Sequence, residues 1–219
     1  MMTEQEWLAS ADPRALLSAL RCGYAGIADA VFDPPCPTRA TDRKLRLFAC
    51  ACEEAMGYES DEVAIKHPDT LSAVWCEPSA NLTVAYKAAL LRCLFGNPWR
   101  PVTEECRAML DEIAGRHADV TVDMARDIYD SRDFAALPVL ADALEEAGCP
   151  ADVECPACQG TCGFQANSTW VPCELCDPAY PEAPTTQPGR LAHPLLAHLR
   201  GPGPHARGCW SIDLVLGKE

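Results

Sequence analysis

Four cysteines between residues 155 and 176 carry the clearest chemistry in this chain. They read Cys155-Pro-Ala-Cys158, then fourteen residues, then Cys173-Glu-Leu-Cys176. A C-x-x-C hook turns tightly enough to aim two sulfurs at one point. Two facing hooks supply all four ligands of a tetrahedral thiolate site. The spacing predicts one Zn2+ held by Cys155, Cys158, Cys173 and Cys176. A site closed by four cysteines has no open coordination position, so its role is structural and not catalytic. Two independent redox pairs are the other chemistry open to these residues, and a second complete hook so close argues against it. Cys149 and Cys162 lie near the hooks in sequence as spare thiols available for ligand exchange.

The remaining reactive residue types read as packing or surface. Cys50 and Cys52 sit two apart on an expected helix, about 200° around its axis from each other, so they cannot share a metal and suit a core. His205-Ala-Arg207-Gly-Cys209 is the one cluster that could make a nucleophile, a thiol beside a histidine with an arginine to favour the thiolate. The competing reading is a glycine-rich turn whose cysteine enters the core. His117 continues an apolar stripe at a helix end, and His193 and His198 flank a helix after the hooks. The pairs Glu53-Glu54, Glu104-Glu105 and Glu145-Glu146 read as solvated helix faces. The chain has no P-loop, dinucleotide-binding glycine fingerprint, H-E-x-x-H or G-x-S-x-G. Trp7, Trp75, Trp99 and Trp170 are each either core or contact residues.

The elements that must position these groups are mostly helical. Thr3 and Glu6 form a capping box, and Asp12-Pro13 opens a second helix. Residues 23–41 read as a loop. Thr41 or Asp42 caps DRKLRLFACACEEAMG, with Leu45, Phe48, Cys52 and Met56 on one face. Residues 60–77 read as one or two short helices. Further helices are expected over Ser79–Phe95 (with Cys93 on its apolar stripe), from Thr103 to His117, over about 121–131, and through LADALEEAGC to a stop at Gly148, with Pro138 in its first turn or at a kink. Helical pattern resumes at Leu191–Arg200. In CWSIDLVLG, Trp210, Ile212, Leu214 and Leu216 alternate as in a strand. A lone strand lacks a partner, so a short helix is expected.

Composition changes after Pro150. Seven of the nineteen prolines fall between 150 and 189, and PAYPEAPTTQPG reads as a stiff linker. The resulting division is a helical domain over 1–149, a zinc insert with linker over 150–190, and C-terminal helices over 191–219 that return to the helical domain. The expected fold class is all-α, a compact multi-helix domain with an inserted zinc-knuckle or ribbon-like module near the C-terminus.

Charge and hydropathy narrow the partners. The formal net charge is −14. Residues 151–190 hold Asp152, Glu154, Glu174, Asp177 and Glu182 against Arg190 alone. Phosphate binding needs a basic stripe, so nucleic acid is not an expected partner. No apolar run approaches the roughly 20 residues of a bilayer span, and MMTEQEWLAS is not a secretory signal. The expected location is cytoplasmic. Fourteen cysteines suit that compartment as metal ligands and buried thiols.

Two resemblances follow from these residues. Cys155-Pro-Ala-Cys158-Gln-Gly160-Thr-Cys162-Gly163 resembles half of a DnaJ-type zinc centre, whose repeat is C-x-x-C-x-G-x-G. Cys162 stands where the second glycine belongs. The resemblance implies a zinc-knuckle fold for this segment and no chaperone activity. The stretches KLRLFACAC (44–52), LLRCLFGNPWRPV (90–102), ARDIYDSRDFAALPVLADALEEAGC (125–149) and GPGPHARGCWSIDLVLGKE (201–219) resemble an uncharacterised family of bacterial helical proteins with many paralogues per genome. That resemblance implies a compact helical unit and supplies no catalytic residue. The expected function is a non-enzymatic protein-interaction module stabilised by a structural zinc site. The alternatives are a thiol-based redox or zinc sensor using the same cysteines, and a Cys/His-dependent enzyme using Cys209 and His205.

Overall fold

The computed structural model describes residues 2–21, 41–57, 82–99, 102–117, 120–155, 157–166, 169–173, 176 and 189–218. Its helices are α1 (Glu4–Ala9), α2 (Pro13–Arg21), α3 (Asp42–Ala55), α4 (Val84–Phe95), α5 (Glu104–His117), α6 (Thr121–Ser131), α7 (Leu137–Glu146), α8 (Pro194–Leu199) and α9 (Trp210–Val215). Its strands are β1 (Asp152–Glu154), β2 (Gly163–Ala166), β3 (Thr169–Pro172) and β4 (Arg190–Ala192). They form two antiparallel pairs, β1 with β4 and β2 with β3. The chain is therefore mainly helical but not all-α.

Local chemistry explains the helix starts. Thr3 and Glu6 make the reciprocal capping box. The Thr41 hydroxyl accepts from the Lys44 amide, and Thr83 accepts from Tyr86. Pro138 occupies the first turn of α7, where its missing N–H costs nothing. Gly96 and Gly148 follow their helices at positive φ. The last apolar element is the helix α9, as expected.

Two boundaries differ from the sequence pattern. The helix expected from Ser79 starts at Val84, because Thr83 caps it. The pattern over Leu191–Arg200 divides: Arg190–Ala192 pair with β1, and the helix begins only at Pro194. The expected helices over 60–77, the loop over 23–41 apart from Thr41, and most of the Pro-rich linker lie outside the described residues.

The chain groups into two units. The first comprises Met1–Ala108, Val122–Ala135 and Pro202–Glu219. Here α4 packs against α2, α3 and α9. Its core joins Trp7, Leu16, Leu20, Leu47, Phe48, Leu90, Leu91 and Leu94, and Cys50 and Cys52 are buried in it. Removing this apolar surface from water is the main favourable term, about 1.5–3 kcal/mol for each fully buried large side chain. Arg92 of α4 donates to the carbonyls of Trp7 and Ser10, satisfying acceptors that the end of α1 leaves open. Trp7 packs on Trp99 with ring centroids 5.8 Å apart.

The second unit comprises Met109–Thr121 and Ala136–Gly201. In it α7 packs on α8, and Arg200 bridges Asp142 and Glu145. The hooks belong to this unit, together with α7 and α8. Their surroundings hold a separate small core, formed by Cys155, Cys158, Cys173, Cys176 and Leu191 with Val153 against it.

Candidate metal centre

Strand pairing brings the two hooks together. Cys155 follows β1, and Cys173 follows β3. The β2–β3 register sets Gly163 opposite Pro172, so the chain returns beside the first hook. The Cys173 amide then donates to the Cys162 carbonyl at 2.9 Å. On the other side the Cys155 amide donates to the Gly189 carbonyl at 2.9 Å, where β4 rejoins β1. An Arg190–Asp152 ion pair spans the same two strands.

The four sulfurs converge within 4.8 Å of one another. Cys155 Sγ lies 3.8 Å from Cys173 Sγ, and Cys158 Sγ lies 3.4 Å from Cys176 Sγ. Ligands about 2.3 Å from a tetrahedral ion stand about 3.8 Å apart. A disulfide would need about 2.05 Å. All four side chains are buried, none above 6 % exposed. This arrangement can hold a metal ion.

Backbone amides favour the thiolate form at three of these sulfurs. The amides of Ala157 and Cys158 donate to Cys155, that of Cys162 to Cys158, and that of Gly189 to Cys176. Burial pushes the Cys155 and Cys176 thiols up. Burial opposes ionisation of Cys158 too, but hydrogen bonds from Cys176 and the Cys162 amide outweigh it and bring that thiol to about 7.

Two backbone positions shape the surroundings of the sulfurs. Cys162 has φ of 66°, a left-handed conformation that glycine adopts freely and cysteine does not. This is the position where the C-x-x-C-x-G-x-G pattern has its second glycine. Gly189, at φ 80°, lies so close to Gly160 that a Cβ would overlap the Gly160 carbonyl. Gly189→Ala will therefore add strain of about 1–3 kcal/mol and displace an amide that faces Cys176. We expect weaker metal retention in competition with a chelator, with α-helical signal unchanged. Unaltered retention would show that this loop does not constrain the site.

The other candidates fall elsewhere. Cys162 is partly exposed, with its sulfur 3.8 Å from the Gly160 carbonyl, and is not one of the four. Buried Cys149 sits 3.9 Å from His193 Nδ1, also apart from the hooks. His198 lies on α8, and the His117 side chain is outside the described residues, as are Trp75 and the second-hook acids Glu174, Asp177 and Glu182. Glu54 and Glu145 are engaged by Arg132 and Arg200. Arg207, expected beside a thiol, stands over the Tyr129 ring at 4.7 Å. His205 and Cys209 do come together, and a residue that sequence pattern placed only on a helix stripe joins them: Cys93, whose Sγ lies 3.9 Å from His205 Nδ1.

No helix among the described residues is long and apolar enough to cross a membrane. No protein-family model, curated protein or solved structure matches the chain.

Proposed function

We propose that this chain is a non-enzymatic, cytoplasmic protein-interaction module in which Cys155, Cys158, Cys173 and Cys176 hold one structural zinc ion. The reading rests on the convergence of four buried sulfurs, the full donor set of a closed tetrahedral site. An all-thiolate tetrahedral set suits zinc, with iron as the other ion of that geometry. An exposed aromatic among the described residues supplies the contact surface. Trp170 on β3 is 53 % exposed, and its inner ring atoms cover Gly163, where a Cβ would come within 2.7 Å of them. A rigid, half-exposed tryptophan on a metal-held hairpin has the properties of a binding hot spot.

The test uses the full chain with zinc content measured in parallel. Trp170→Ala should keep its zinc yet lose at least about 2 kcal/mol of affinity for a protein partner, a hot-spot loss. Chelation should remove zinc and binding together. A partner that binds the variant and the chelated chain as well as the native one would overturn the proposal. Zinc ejection by stoichiometric peroxide, reversed by thiol, would favour the sensor reading. The acidic charge of this segment supports the exclusion of nucleic acid. Tight binding to a duplex with a steep salt slope would contradict it.

A further inference from the structure

We propose a second metal site in the first unit, formed by Cys93, His205 and Cys209, which takes a borderline-soft divalent ion such as zinc. It shares no residue with the hooks and does not depend on them.

Geometry is the first support. The ligand atoms of the three residues lie within 4.8 Å of one another. Cys93 Sγ is 3.9 Å from His205 Nδ1. Sulfur at about 2.3 Å and nitrogen at about 2.0 Å from a tetrahedral ion stand about 3.5 Å apart, so a shift of about 0.4 Å completes the arrangement. Two cysteines and a histidine are a recurrent zinc donor set. Cysteines packed only as hydrophobes do not need an imidazole nitrogen directed at a sulfur.

The supporting frame is the second point. Cys93 is on α4, a twelve-residue helix buried in the main core. Cys209 is the N-cap residue of α9, and its amide donates to the Ala206 carbonyl at 2.9 Å. The turn carrying His205 is fixed at its far end. Lys44 Nζ donates to the Gly208 carbonyl at 2.5 Å, and Gly208 lies against Leu47 with no space for a Cβ. Ligands on tightly held backbone are what a metal site requires.

Charge is the third. Cys93 and Cys209 are 2 % and 0 % exposed. Two buried thiolates alone would be costly, but with a dication and a neutral imidazole the set has no net charge. The site can therefore be loaded inside a helical core, where an unneutralised thiolate pair could not persist.

The experiment is Co2+ titration of the reduced, metal-stripped full chain, followed by sulfur-to-cobalt charge-transfer absorption. Native protein should take up about two equivalents. Cys155→Ser with Cys176→Ser should remove one and keep the other. Adding Cys209→Ser to that background should abolish the remaining cobalt spectrum. Serine is a good N-cap residue, so α9 should persist, and circular dichroism checks that it does. His205→Gln, a change at a partly exposed position, should weaken the second site in the same background without altering helicity. Uptake of one equivalent by native protein and none by the hook variant would overturn the second site and leave the first intact. Uptake of one equivalent that only Cys209→Ser removes would overturn the hook site and keep this one.

Discussion

Replacing Cys155 and Cys176 by serine will empty the hook site and unfold the knuckle around it, while the helices of the first unit stay folded. Among the described residues, the small core there joins the four cysteines and Leu191, with Val153 against it. Four of its five described buried residues are the cysteines of the proposed site, so among the described residues little apolar burial remains to offset chain entropy without the ion. Structural zinc supplies apparent free energies of about 10–16 kcal/mol in comparable peptides, far more than such a core can replace. The first unit has its own core of Trp7, Phe48 and the leucines of α2, α3 and α4. Limited proteolysis should become fast between residues 150 and 190, with only a small fall in helical ellipticity. Loss of most helicity would show that the knuckle supports the first unit. Acid should mimic the substitution. Each ligating sulfur must be deprotonated, so metal is held at neutral pH and lost as pH falls, with protons taken up on release.

Asp213→Asn will destabilise the first unit by about 3 kcal/mol, the lower end of the range for breaking a buried ion pair. Asp213 is 2 % exposed and accepts from Arg43 at 2.8 Å and Lys44 at 2.6 Å. Arg43 also donates to the Tyr129 hydroxyl, and its guanidinium is held more firmly protonated by its bond to Asp213. Removing the carboxylate leaves two cations facing each other in a partly dry site. Arg43 retains 24 % side-chain exposure, which lets water offset part of the cost. The fall should appear in the urea midpoint with an unchanged slope, and should persist in high salt because the pair is shielded from counterions. A change below about 1 kcal/mol would mean that the pair behaves as an exposed one.

Local rules determined much of this protein from sequence alone. The hooks are legible because a C-x-x-C turn aims its two sulfurs by itself, whatever surrounds it. Thr3 and Thr41 mark helix starts because a cap acts within four residues. Tertiary structure decided what depends on residues far apart in the chain. Leu191 reads as helical in its local pattern, yet pairing with Val153 makes it a strand residue. Asp213 looks like the polar face of a short helix until Arg43 and Lys44, about 170 residues earlier, bury it in an ion pair. Cys93 and His205 are 112 positions apart; the sequence pairs His205 with nearby Cys209, but Cys93 alone reads as a position on an apolar helix stripe. Spacing along a chain reports contacts only over a few residues. Over longer separations, strand pairing and helix packing bring these groups together.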